Sequence, residues 1–93
     1  MSVEDIKNVI MSFVPKYSIV KITLFGSRAA GTHNDNSDVD LIIEFSNSVT
    51  LITLSQIKIE MEEALGLDVD IIHGPITEND MIEIGEEVVL YAA

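Results

Sequence analysis

The stretch from Leu24 to Phe45, LFGSRAAGTHNDNSDVDLIIEF, sets a Gly-Ser pair and two aspartates between apolar runs. Asp38 and Asp40 lie one residue apart in a segment that otherwise reads as a buried strand, and Asp70 sits in a second such segment, DVDIIH. A carboxylate in apolar surroundings is costly unless it is paired or holds a cation. Strand side chains alternate, so Asp38 and Asp40 share a face with Ile42 and Glu44, while Val39, Leu41, Ile43 and Phe45 take the other. In the later segment Asp68, Asp70 and Ile72 share a face opposite Val69, Ile71 and His73. Pairing of the two strands would bring Asp70 beside Asp38 and Asp40. Three like charges so placed either take up protons or gather a cation. Oxygen ligands without cysteine favour Mg²⁺ or Mn²⁺ over Zn²⁺. Two such ions roughly 3.5–4 Å apart form the clamp used in phosphoryl and nucleotidyl transfer. Gly26 and Ser27, just past a strand, offer backbone N–H groups and a hydroxyl suited to phosphate oxygens. Arg28 offers positive charge to the same anion. A Gly-Ser pair alone is usually a turn, and a lone Asp-x-Asp is usually a solvated strand edge. Their combination, with a later strand aspartate, is far more specific.

The elements that must position these groups follow from periodicity and punctuation. Ser2 can cap a first helix with Val3, Ile6, Ile10 and Phe13 on its apolar face, ended by Pro15. Ile19 to Phe25 reads as a strand, with Val20, Ile22 and Leu24 on one face. Arg28 to Ala30 suits a single helical turn closed by Gly31, and Thr32 to Ser37 is a polar loop. Asp38 to Phe45 is the second strand. Thr50 can cap a central helix whose stripe is Leu51, Leu54, Ile57, Met61 and Leu65, stopped by Gly66. Asp68 to His73 is a third strand. Glu78 to about Glu87 reads as a last helix, and the closing VVLY fits either its continuation or a short edge strand. The economical result is an α+β domain over 1–93: a small mixed β-sheet of three to four strands with helices packed on it.

Composition narrows the function. The chain has 93 residues, no cysteine, 47% apolar residues and a net charge of −11 from 16 acidic and 5 basic residues. Direct binding of nucleic acid, which relies on Lys and Arg, is not expected. No apolar run approaches the roughly 20 residues of a membrane span, and MSVEDIKNVI lacks the basic start of a signal peptide. A cytoplasmic protein is therefore expected. His33 and His73 read as structural or solvated, and Tyr17 and Tyr91 as surface rings. Glu44 lies roughly 13 Å along the strand from Asp40 at about 3.3 Å per residue, so it reads as a surface acid.

Gly26-Ser27, the spacer Arg28 to Ser37, Asp38-Val39-Asp40 and the later LGLDVDII resemble the minimal nucleotidyltransferases (MNT) of the DNA polymerase β superfamily. The likeness runs from the first helix to the last and implies the nucleotidyltransferase fold. It implies that Asp38 and Asp40 ligate two Mg²⁺ ions, with Mn²⁺ as a substitute. Asp70 would ligate the catalytic one and accept the proton of an attacking hydroxyl. Gly26 and Ser27, with Arg28 beside them, would hold the phosphates of ATP. Members this small resemble the antitoxins of HEPN/MNT toxin–antitoxin pairs, which transfer AMP to a tyrosine of a HEPN-domain ribonuclease toxin. A hetero-oligomer with such a toxin is then expected. At 93 residues no separate acceptor-binding domain is expected, and an acidic surface suits a partner with a basic cleft. The competing readings are a non-catalytic antitoxin that acts by direct binding and a small-molecule nucleotidyltransferase. Two departures stand out. Ala30 occupies a position that is often a second arginine in the family, and Asp68 stands where some relatives carry a basic residue.

Overall fold

The computed structural model describes residues 1–75 and 85–93. Its elements are α1 (Val3–Ile10), α2 (Phe13–Lys16), β1 (Ile19–Phe25), α3 (Ser27–Ala30), β2 (Val39–Phe45), α4 (Leu51–Leu65), β3 (Val69–His73) and β4 (Glu87–Ala92). The expected last helix lies mostly outside the described residues, and its expected final residue, Glu87, opens β4 instead.

The four strands form one mixed sheet in the order β3-β2-β1-β4. β1 runs antiparallel to both β2 and β4, and β2 runs parallel to β3. The parallel pair needs a crossover, which α4 provides. VVLY resolves as an edge strand: Val88 and Val89 pair with Leu24 and Thr23. A free strand edge on β1 offers its backbone groups partners that a helix extension would not use.

One sheet face is the core. Ile22, Leu24, Val39, Leu41, Ile43 and Val69 are fully buried there, against Ile6 and Ile10 of α1 and Ile57 and Met61 of α4. The helices start as their caps dictate. Ser2 and Asp5 form a reciprocal capping box, with the Asp5 amide donating to Ser2 Oγ at 3.1 Å and the Ser2 amide to Asp5 Oδ2 at 3.0 Å. These bonds hold the Asp5 carboxyl below its ordinary pKa. Thr50 Oγ1 accepts from the Thr53 amide at 3.1 Å and starts α4, and Gly66 ends it in the left-handed region at φ 70°.

Two expectations about helices change. α1 stops at Ile10, and Pro15 lies inside the separate short helix α2 rather than ending a continuous one. A proline in a first helical turn lacks only an N–H that would have had no partner there. The buried stripe of α4 starts a turn and a half late: Leu51 is 82% exposed, whereas Ile57, Met61 and Leu65 are buried. Asp38 and Asp68 stand just before their strands rather than within them.

Candidate active site

β2 and β3 lie side by side in parallel register, with Asp40 opposite Asp70, Val39 opposite Val69 and Ile42 opposite Ile72. Because paired residues in a sheet point to the same face, Asp40 and Asp70 stand together on the face away from the core. β1 completes that face, since Phe25, Thr23 and Lys21 pair with Asp40, Ile42 and Glu44. Asp40 is half-buried, while the Asp70 side chain is 61% exposed and open to reactants.

Asp40 holds its proton more tightly than an ordinary aspartate. Burial is the largest cause, followed by the charge of Asp70, the charge of Asp38 and a side-chain hydrogen bond with Asp70. All three aspartates singled out in the sequence therefore act on one point. Among the described residues, no group of three His, Cys, Asp or Glu side chains closes into a ready-made metal cage. Asp38 is exposed, at the strand's entry. The donor set nonetheless fits Mg²⁺: it is oxygen only, it is crowded with like charge, and Mg²⁺ completes its shell with water and substrate phosphates rather than an all-protein cage.

The Gly-Ser pair joins this cluster through close packing. Gly26 has φ 75° and ψ −156°, a conformation open to glycine, and a Cβ there would collide with Asp40 Oδ2. The glycine backbone thus passes directly against the Asp40 carboxylate. Gly26 is also the cap of α3: its carbonyl accepts from the amides of Ala29 and Ala30 at 3.1 and 3.0 Å. Ser27 and Arg28 open that turn, so their N–H groups have no intrahelical acceptor. The turn closes at Gly31 in the left-handed region, as the sequence suggests.

Arg28 has a different task from the phosphate contact expected of it. It is 3% exposed. Its Nε donates to the Ser37 carbonyl at 3.1 Å, Nη1 to the Met1 carbonyl at 3.3 Å, and Nη2 to those of Asn34 and Asp35 at 3.5 Å each. The guanidinium fork spans several carbonyls at once, which a point-charge ammonium could not do. Arg28 therefore staples the spacer loop, and the loop delivers Asp38. Asn34 Oδ1 and Ser37 Oγ add turns by accepting from the amides of Asn36 and Asn34 at 2.8 and 2.9 Å.

Other residues fall into place around the cluster. Glu44 shares the aspartate face and packs beneath Gly74, where a Cβ would come within 2.9 Å of Glu44 Cγ and Ile42 Cγ2. The His73 ring stacks on Phe45, centroid to centroid 5.6 Å, on the opposite face. His33 is exposed in the spacer. Lys58, unremarked in the sequence, brings its Nζ 3.8 Å from Asp70 Oδ1. The available signal was its i, i+4 spacing to Glu62 on the helix that feeds β3.

The family described as polymerase beta, nucleotidyltransferase, matches residues 4–91. The chain belongs to that family. This nucleotidyltransferase is 33% identical over 72 residues to a Methanocaldococcus jannaschii protein provisionally named protein adenylyltransferase MJ0435, a match covering 77% of each chain. It shares its fold with a toxin–antitoxin crystal structure containing AMP-PNP, at a TM-score of 0.77 and 23% identity, covering 94% of this chain and 73% of the other. It also shares its fold with a chain from a complex of MNT antitoxin and tri-AMPylated Shewanella oneidensis HEPN toxin. There the TM-score is 0.71 at 18% identity, covering 97% of this chain and 72% of the other.

Proposed function

We propose that this nucleotidyltransferase, a single domain over residues 1–93, is an antitoxin. It transfers AMP from ATP to a hydroxyl, most simply a tyrosine, of a HEPN ribonuclease toxin in the cytoplasm and so silences it. The carrying observation is the Asp40–Asp70 pair seated against Gly26 at the start of a helical turn. A relative named as a protein adenylyltransferase, a solved relative with AMP-PNP and another with an AMPylated HEPN toxin support the substrate and the acceptor. The charge of −11 suits a partner with a basic cleft. Among the described residues no helix is long and apolar enough to cross a membrane.

Asp38, Asp40 and Asp70 would hold Mg²⁺, two ions in this reading, which neutralise phosphate charge and favour the ionised hydroxyl. Ser27 and the amides around it would hold the terminal phosphates. Asp70, the more exposed member of the pair, would accept the proton as the acceptor oxygen bonds to the α-phosphorus. The bond from the α-phosphorus to the bridging oxygen then breaks, and pyrophosphate leaves. With little covalent work for the protein, positioning and charge neutralisation supply most of the rate.

The test incubates the chain with its HEPN toxin, ATP and Mg²⁺, and weighs the toxin by mass spectrometry. Additions of AMP less water on a tyrosine are expected, and Asp70→Asn should abolish them while the two proteins still associate. Full inhibition of the ribonuclease by both proteins with no mass change would overturn the transferase reading in favour of occlusion.

A further inference from the structure

Two side chains of α4 attend to a single residue of β3. The Val69 amide donates to Glu62 Oε2 at 3.0 Å, and Lys58 Nζ donates to the Val69 carbonyl at 2.8 Å. Lys58 and Glu62 are themselves an i, i+4 ion pair, 3.6 Å apart. Among the described residues β3 is an edge strand. The Asp68 carbonyl accepts from the Val39 amide of β2 at 2.9 Å. Backbone groups alternate sides along a parallel strand, so those of Asp70 also face β2 and those of Val69 face outward. An edge strand ordinarily leaves such groups to solvent. Here a donor and an acceptor from one helix face take both, one residue before Asp70. The Lys58 ammonium also stands 3.8 Å from Asp70 Oδ1, beyond hydrogen-bond length, as a solvent-screened ion pair.

We propose that Lys58 and Glu62 form a clamp that positions Asp70. The Glu62 carboxylate and Lys58 ammonium fix the backbone of Val69 from outside the sheet, so the Asp70 Cα–Cβ bond leaves β3 in one direction. The ammonium then biases the carboxylate toward one rotamer beside Asp40. Both groups act through Asp70. Both bonds to Val69 are charge-assisted, the stronger kind of hydrogen bond. The clamp rests on the reading of Asp70 as a metal-holding, proton-accepting group. Its consequence for rate comes from geometry, since a displacement of about 1 Å at a reacting group can cost about 100-fold.

The experiment compares the wild-type chain with Lys58→Met, which keeps the stem and removes the ammonium, and with Lys58→Arg, which keeps charge and donors. Lys58 is half-exposed, so neither change threatens folding. NMR on the metal-free proteins reads the Asp70 side-chain rotamer from three-bond couplings. One dominant rotamer is expected in wild type and Lys58→Arg, and averaging in Lys58→Met. Transfer assays should show kcat lowered about ten- to hundredfold in Lys58→Met, with KM for ATP within about twofold and most of the rate recovered in Lys58→Arg. Couplings unchanged in Lys58→Met would overturn the clamp whatever the activity. Averaged couplings with unchanged kcat would overturn it too, because a loosened Asp70 would then not matter. A wild-type protein that transfers no AMP would refute the functional reading instead, and the couplings alone would then decide the clamp.

Discussion

Asp40 is the residue on which the site's electrostatics converge, and its raised pKa has a sign that can be tested. Its folded pKa lies above the ordinary value of 3.8. The stabilisation linked to its proton is complete below that value and is lost as pH rises through the folded pKa. Above the folded pKa and without metal, the fold carries a carboxylate whose charge burial and its like-charged neighbours disfavour. Asp40→Asn should therefore raise the thermal midpoint at pH 7 in chelator, modestly, because solvent screens a half-exposed group. The gain should shrink towards pH 4, and Mg²⁺ should stabilise only the wild type. Differential scanning calorimetry at the two pH values reads both effects. The aspartates were legible in the sequence because a period of two fixes which residues share a face. Arg28 was not. Next to Gly-Ser it reads as an anion contact, and its burial under the carbonyls of Asn34, Asp35 and Ser37 is a property of the folded loop. Gly26 was legible as a special glycine, but the neighbour that demands it, Asp40, lies across the strand pair.

At the scale of the element, β2 interleaves two tasks residue by residue. Val39, Leu41 and Ile43 are fully buried in the core, and Asp40, Ile42 and Glu44 line the other face. Leu41→Ala should cost about 2–5 kcal/mol through lost burial and the cavity left behind, lowering the denaturation midpoint while any folded fraction still transfers AMP. Asp40→Asn should do the reverse, abolishing transfer in a chain that unfolds no earlier. Urea titrations paired with transfer assays on the two variants check the contrast, and a loss of activity without loss of stability in Leu41→Ala would contradict it. Strand bounds came within a residue for β1, β2 and β3 because β-branched runs and alternation agreed. The start of the α4 stripe was misplaced because Leu51 satisfies the helical spacing yet lies on a first turn that the core does not reach, 82% exposed. VVLY could not be assigned from its own residues, since a short apolar run suits helix and strand alike. The open edge of β1 decides it.

The whole molecule carries its charge as well as its fold. With 16 acidic and 5 basic residues, association with a basic partner should be steered over long range. Raising salt from about 0.1 M to about 1 M shortens the Debye length from about 10 Å to about 3 Å. Stopped-flow association with the proposed HEPN toxin should slow at least about tenfold across that range, while the dissociation rate changes far less. A salt-independent association rate would place the recognition in apolar contacts instead. Net charge was fully legible, because it needs no geometry. The sheet order was not, since it depends on which edge of β1 the last strand finds. The Lys58–Glu62 contact has one more effect at this scale. A sheet with an open side is a template on which another copy can stack, strand against strand, into an aggregate. By occupying the outward amide and carbonyl of Val69, α4 closes the first rung of that side to a stacking copy. A chain stripped of the contact would leave that rung open to another copy, at the strand that carries Asp70.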